Sequence, residues 1–249
     1  MKKILLIIIV FWTASIRAQN PEGLSVRFGI NTAYPKWNHV NLLFREYAEL
    51  RPWLTVKPEM TELMGGWNIG YALSGERFWF DMDYMSNRNS MRYKGIDSMG
   101  VEQKGTFALI DRSISLSAGF KFVDTPIIRM GLFSALSFHP MVIKQASNFE
   151  YATTFAAWLL TNPFKMSGSV HPIDTKMFLA AKIGASIQIG NRFGVTYEPY
   201  YMLPFWKTDF KSTRDELNVN TTSAYSDEQF KDSLKHWGMR FIFYLGVFE

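Results

Sequence analysis

Apolar residues occupy alternate positions in eight separate segments of this chain. The first sets Leu24, Val26, Phe28 and Ile30 on one face against Ser25, Arg27, Gly29 and Asn31 on the other. The second sets Trp67, Ile69, Tyr71 and Leu73 against Asn68, Gly70 and Ala72. The third sets Phe78, Phe80, Met82 and Tyr84 against Arg77, Trp79, Asp81 and Asp83. The same period returns from Ser113, Arg129, Leu179, Arg192 and Gly238 onward. A repeat of two residues is that of a strand whose faces meet different surroundings. The second face is rich in Gly, Ser and Ala, which suit a cramped interior better than a wet surface. Connections alternate in length. Those at Ser74 to Glu76, Val123 to Pro126, and Gly190-Asn191 are tight. Those spanning roughly 34–62, 86–106, 139–173 and 207–236 are long. This pattern predicts an all-β fold, an eight-stranded antiparallel up-and-down transmembrane β-barrel with short periplasmic turns and long external loops.

Composition sharpens that picture. Aromatic residues make up 16% of the 249, which is high. Met1-Lys2-Lys3, the apolar run Ile4 to Trp12 and the small residues Ala14, Ser15 and Ala18 form a secretory leader. Cleavage after Ala18 leaves residues 19–249 as one barrel domain. The formal charge of +5 includes Lys2, Lys3 and Arg17, so the mature chain carries +2, and nucleic acid is not an expected partner. With no cysteine, disulfides, a thioether lipid anchor and Cys-ligated zinc are excluded.

The last segment reads Gly238-Met-Arg-Phe241-Ile-Phe243, with Phe248 penultimate and Glu249 last. Gly238, Phe241, Phe243 and Phe248 resemble the terminal signal that barrel-assembly machinery reads. Together with the leader ending Ala18-Gln19 and with Tyr197-Glu198-Pro199-Tyr200-Tyr201, this makes the chain resemble small outer-membrane barrels of the Bacteroidota type, within the porin-like superfamily. The resemblance implies an address and a fold. Its implied partners are outer-membrane lipid, lipopolysaccharide and the assembly machinery. It also implies a general O-glycosylation pattern, matched by Asp97-Ser98-Met99 and Asp232-Ser233-Leu234.

Eight strands enclose a lumen just wide enough for side chains to fill. Strand phase turns Arg27, Arg77, Lys121, Arg129, Lys182, Arg192 and Arg240 inward, with Asp81, Asp83, Asp111 and Glu198. Buried charges must pair, so an internal network is expected. The expected pairs are Asp81 and Asp83 with Arg77 or Arg129, and Glu198 with Arg192 or Arg240. Trp37, Trp67, Tyr84, Tyr201, Trp206 and Trp237 read as an interfacial girdle. Residues 40–50 read as a short helix, and Ser226 with Gln229 as the cap of another. Phe155, Trp158, Leu159 and Leu160 make an apolar external loop suited to another envelope protein.

The expected role is therefore non-enzymatic, structural or partner-binding through the loops. Two rivals stand beside it: a lipid A-modifying enzyme and a narrow gated channel. For the enzyme, His39, His139, His171 and His236 fall at expected outer strand ends, with Ser137 beside His139. No phosphate loop, His-x-x-x-His pair or calcium loop is present, so no cofactor is expected.

Overall fold

The structure, a computed structural model, describes residues 23–125, 127–147, 170–190, 193–217 and 225–248. Eight strands form a closed ring: β1 (Gly23–Pro35), β3 (Met64–Ser74), β4 (Phe78–Ile96), β5 (Glu102–Asp124), β6 (Ile128–Ser147), β7 (Val170–Gly190), β8 (Phe193–Pro204) and β11 (His236–Phe248). Each pairs antiparallel with its neighbours. β1 meets β11, and β4 meets β5, so the ring has no free edge over its common height. Among the described residues, all eight segments read as strands from the sequence are strands here, in the expected phase, Arg77 excepted.

The ring is uneven. β1, β3, β8 and β11 have 13, 11, 12 and 13 residues. β4, β5, β6 and β7 have 19, 23, 20 and 21. At about 3.4 Å per residue and about 40° of tilt, the short strands climb about 30 Å and the long ones about 55 Å. The short set matches a bilayer's hydrocarbon core. The long set raises a wall on one side.

Two expected loops are thereby corrected. Residues 86–106 form the upper halves of β4 and β5, joined at 97–101, and much of the described part of 139–173 belongs to β6 and β7. The cause is an inversion of patterning. Low in the barrel, apolar Phe28, Met82, Leu116 and Phe243 point outward and stay exposed. High in the wall, Met91, Tyr93, Phe107, Leu109, Met141 and Ile143 point inward and are buried. The short β2 (Leu54–Val56) pairs with Lys94 and Gly95 of β4, above the end of β3, and covers part of the wall's edge.

What the wall shelters is a cap. Helix α1 (Asn38–Glu49) buries Val40, Leu43, Phe44, Tyr47 and Ala48, a single stripe at three- and four-residue spacing. Helix α2 (Lys211–Glu216) follows β9 (Thr208–Asp209), which pairs with β10 (Lys231–Asp232). The 3-10 helix Asp227–Phe230 stands at the expected second helix, with the Ser226 N–H donating to Gln229 Oε1 at 2.9 Å. The helix expected at 40–50 is α1, shifted by two residues at its start.

Candidate functional site

Low in the lumen, β1, β4, β7, β8 and β11 bring six charges together. Arg27 Nη1 lies 3.0 Å from Asp81 Oδ2, and the same guanidinium binds Glu198. Arg240 donates to Asp83 Oδ2 at 2.6 Å and also binds Glu198. Lys182 Nζ lies 4.0 Å from Asp83 and donates to Ser115 Oγ at 3.0 Å. Three cations meet three carboxylates, so the cluster is neutral as a unit. All six side chains are buried. Arg27, Asp81, Asp83, Lys182, Glu198 and Arg240 were each expected to face inward, and they meet one another.

Other expected members lie elsewhere. Lys121 and Arg129 both bind Asp124 at the foot of the barrel, at 3.0 and 3.1 Å. They line, with Trp79 and Tyr244, a cavity of ≈ 110 Å³ that reaches up to Arg27 and Glu198. Arg77 sits in the turn before β4 and is exposed; the strand phase that turned it inward ends one residue too soon. The expected pairs of Asp81 and Asp83 with Arg77 or Arg129 are thus replaced by Arg27 and Arg240. Arg192 lies outside the described residues, as do Phe155, Trp158, Leu159 and Leu160.

Above the charge cluster comes a polar layer. Asn31 donates to Asn87, and Asp111 Oδ1 lies 2.9 Å from His139 Nδ1. Ser115 and Ser137 share a hydrogen bond of 2.8 Å. His139 is fully buried, its ring stacked on Phe178 at 4.6 Å. The expectation that all four histidines lie at or beyond outer strand ends is corrected at His139 alone, since His236 opens β11 at its outer end. β6 continues well past His139, which leaves it deep in the lumen, and His236 is buried under the cap. His39 and His171 are exposed.

The cap seals the outer mouth. Phe44 and Tyr47 of α1 pack on Phe107 of the wall at 5.2 and 4.9 Å between ring centres. Glu46 and Arg214 form a buried two-pronged pair across α1 and α2, at 3.1 and 2.9 Å. The Arg214 guanidinium also lies over the Phe230 ring. Trp37, expected in the girdle, is instead buried in this core against His236. Trp67, Tyr201, Trp206 and Trp237 are exposed. Trp67 packs with Tyr84, and Trp237 with Tyr34, above the exposed apolar belt. In β11, Phe241 and Phe243 face outward, while Gly238 leaves room for the buried Tyr200, whose hydroxyl would stand 2.5 Å from any Cβ there.

α2 is pinned to the wall by Asp174 of β7, which accepts from Thr213 at 2.5 Å and Ser212 at 2.8 Å and pairs with Lys176 at 2.9 Å. Burial alone would push this carboxyl up; the hydroxyls and the ammonium outweigh it and hold it below the ordinary range. A lowered folded-state value stabilises the docked helix above the unfolded value of about 3.9, and the contribution fades as pH falls through the folded one. Pepsin cleavage near α2 is therefore expected to rise as pH drops from 4 toward 2 by more in the native protein than in Asp174→Asn. Equal acid dependence in the two would remove the carboxylate from this role.

Asp97-Ser98-Met99 forms the exposed tip of the β4–β5 hairpin. In the second such tripeptide, Asp232 and Leu234 are buried, with Asp232 accepting from the His39 and Leu234 N–H groups.

No protein-family model matches this chain, and no curated protein does. Among solved structures, it is similar to the crystal structure of Neisserial surface protein A, with 14% identity, a TM-score of 0.45, and 91% of this chain and 98% of that one covered. It is also similar to Ail, the attachment invasion locus protein of Yersinia pestis, with 11% identity over 90% of this chain and 98% of that one. The TM-score is 0.41 for Ail in complex with the heparin analogue sucrose octasulfate. For Ail alone it is 0.42. These are distant likenesses.

Proposed function

We propose that this chain is an integral outer-membrane barrel without enzymatic activity. It displays a rigid external face to another component of the envelope. The observation that carries this reading is the double closure of the lumen, by the ion cluster at Arg27, Glu198 and Arg240 and by the cap on α1 and α2. A barrel filled twice over is poor at conducting solutes, and its ordered outer architecture is more than a bilayer anchor requires. A lipid-modifying centre needs an acid, a base and a nucleophile open to the outer leaflet. The His139–Asp111 pair is buried within the lumen instead. The apolar residues Phe155, Trp158, Leu159 and Leu160 remain the first candidates for partner contact.

The test is affinity purification of the tagged protein from outer membranes in mild detergent, with mass spectrometry of what is retained. A stoichiometric envelope protein, lost when residues 151–160 are trimmed, is the expected result. Recovery of the barrel alone, together with unitary conductance steps in planar bilayers, would return the reading to a channel.

A further inference from the structure

Below the ion cluster the barrel keeps a space open. The cavity of ≈ 110 Å³ runs from the strand ends at Gly23, Ser74 and Gly246 up to Arg27 and Glu198. At about 30 Å³ for each water-sized group, it takes about three or four of them. Its charged lining is Arg27, Lys121 and Arg129 against one carboxylate, Glu198. Arg27 and Glu198 are bound to each other in the neutral cluster above, so Lys121 and Arg129 give the foot of the lumen its sign. Both already grip a carboxylate, that of Asp124, whose side chain is a third exposed at the rim. Lys121 is buried and also donates to Gly75 O at 2.6 Å. A cation aimed in this way has little side-chain freedom left to lose when a ligand arrives.

The walls are equally fixed. Trp79 is buried against Gly119 and Gly131, where any Cβ would collide with its indole. Across the cavity, Tyr244 is buried with its hydroxyl turned to Ile189 O at 3.4 Å. Two aromatic faces thus flank a lining that also carries the buried hydroxyls of Ser186 and Thr196.

We propose that this cavity binds the free carboxylate end of a peptide whose last residue is small. The proposal rests on the outer-membrane reading above, which sets these strand ends in the periplasm. The ligand carboxylate enters beside Asp124 and takes over part of its hold on Lys121 and Arg129. A pair as exposed as Asp124 with Arg129 is weak, so the exchange costs little. The guanidinium offers a planar fork of donors that fits a carboxylate. The volume sets the size of the last residue, because a side chain much larger than a methyl meets Trp79 or Tyr244. The same two rings are why a peptide end fits better than a bare anion, since they give the methyl group an apolar contact. Ser74 and Gln188 stand near the mouth, where the first peptide group passes.

The experiment titrates the folded full-length protein, in a mild detergent that leaves both ends of the barrel accessible, by isothermal calorimetry. The probes are trialanine as its free acid, trialanine as its C-terminal amide, and acetate. The free acid should bind at least about tenfold more tightly than the amide, the scale of a charge-assisted hydrogen bond. Arg129→Gln should weaken the free acid by a similar factor. Ser74→Trp, which keeps every charge and fills the mouth, should abolish binding. Asp124→Asn removes the competing carboxylate and should tighten binding about two- to fivefold. Repeating the titration with a D-alanine terminus separates two sources of such an end: tighter binding of the L form assigns a protein terminus, and of the D form a cell-wall peptide. Equal binding of acid and amide, binding unchanged in Arg129→Gln or Ser74→Trp, or acetate held as tightly as trialanine would overturn the proposal. Unheated and boiled samples are run side by side on a gel throughout. A protein that shows no mobility shift refutes the barrel reading itself, whereas a shifted protein that binds no free acid refutes only the cavity's ligand.

Discussion

Replacing Arg240 with methionine is expected to lower the stability of the folded barrel by about 3–5 kcal/mol, the usual consequence of stripping one partner from a buried ion pair. Arg240 is 1% exposed and holds Asp83 and Glu198 together. Its loss leaves three carboxylates facing Arg27 and Lys182, with water unable to compensate. The deficit is electrostatic, so it should be repaired electrostatically. Adding Asp83→Asn to Arg240→Met restores two cations against two acids and should recover more than half of the loss. Urea unfolding followed by tryptophan fluorescence in lipid vesicles measures both variants, and the coupling is read from the cycle. A single variant within about 1 kcal/mol of the parent would show that Arg240 is a passenger in the lumen, since that is the scale of an exposed pair.

The second large effect is expected at Phe44. Truncation to alanine in a well-packed core costs about 3–5 kcal/mol, and here the core concerned is the cap. Phe44 is fully buried against Phe107, yet the lipid-spanning strands below are held by their own ladder and by the charge cluster. Phe44→Ala should therefore open α1 to protease while the unheated gel band stays that of a folded barrel. It should also leave the bilayer non-conducting, because the ions at Arg27 and Glu198 still fill the lumen. Simultaneous loss of the cap and the folded band would mean that cap and barrel unfold as one unit. Conductance in this variant would make the cap the gate of a channel.

How much of this was legible beforehand follows from where each residue meets lipid. In the spanning half, lipid outside and a packed polar lumen inside give one consistent alternation, and Phe28, Met82 and Phe243 announce it. Above the bilayer, water replaces lipid and the alternation changes sign. Met91 and Tyr93 then look like stray apolar residues in a loop, although they line a core. His139 stands deeper than the pattern predicts for the same reason, since the apolar alternation that marks β6 ends near Phe138. The inward cations could be read from phase, but their partners could not. Phase says which residues share the lumen, and barrel tilt decides which of them meet. Asp124 ends β5 where the sequence reads as a turn, and Arg77 stands one residue outside its strand. Nothing in the local pattern of α1 or α2 foretells that Glu46 finds Arg214.

That last pair also says something about time. Most contacts of the barrel join strands adjacent in sequence, and the β3–β4, β4–β5, β5–β6 and β7–β8 hairpins have short connections to close. Glu46 and Arg214 are separated by 168 positions, and the core they sit in also takes residues from β4, β5, β6, β7 and β8. α1 comes early in the chain but has nothing to bury its apolar stripe against until strands β4 to β8 are in place. The cap core is thus expected to close after the strands that wall it. On that order, a barrel with its cap in place is one whose strands are all assembled.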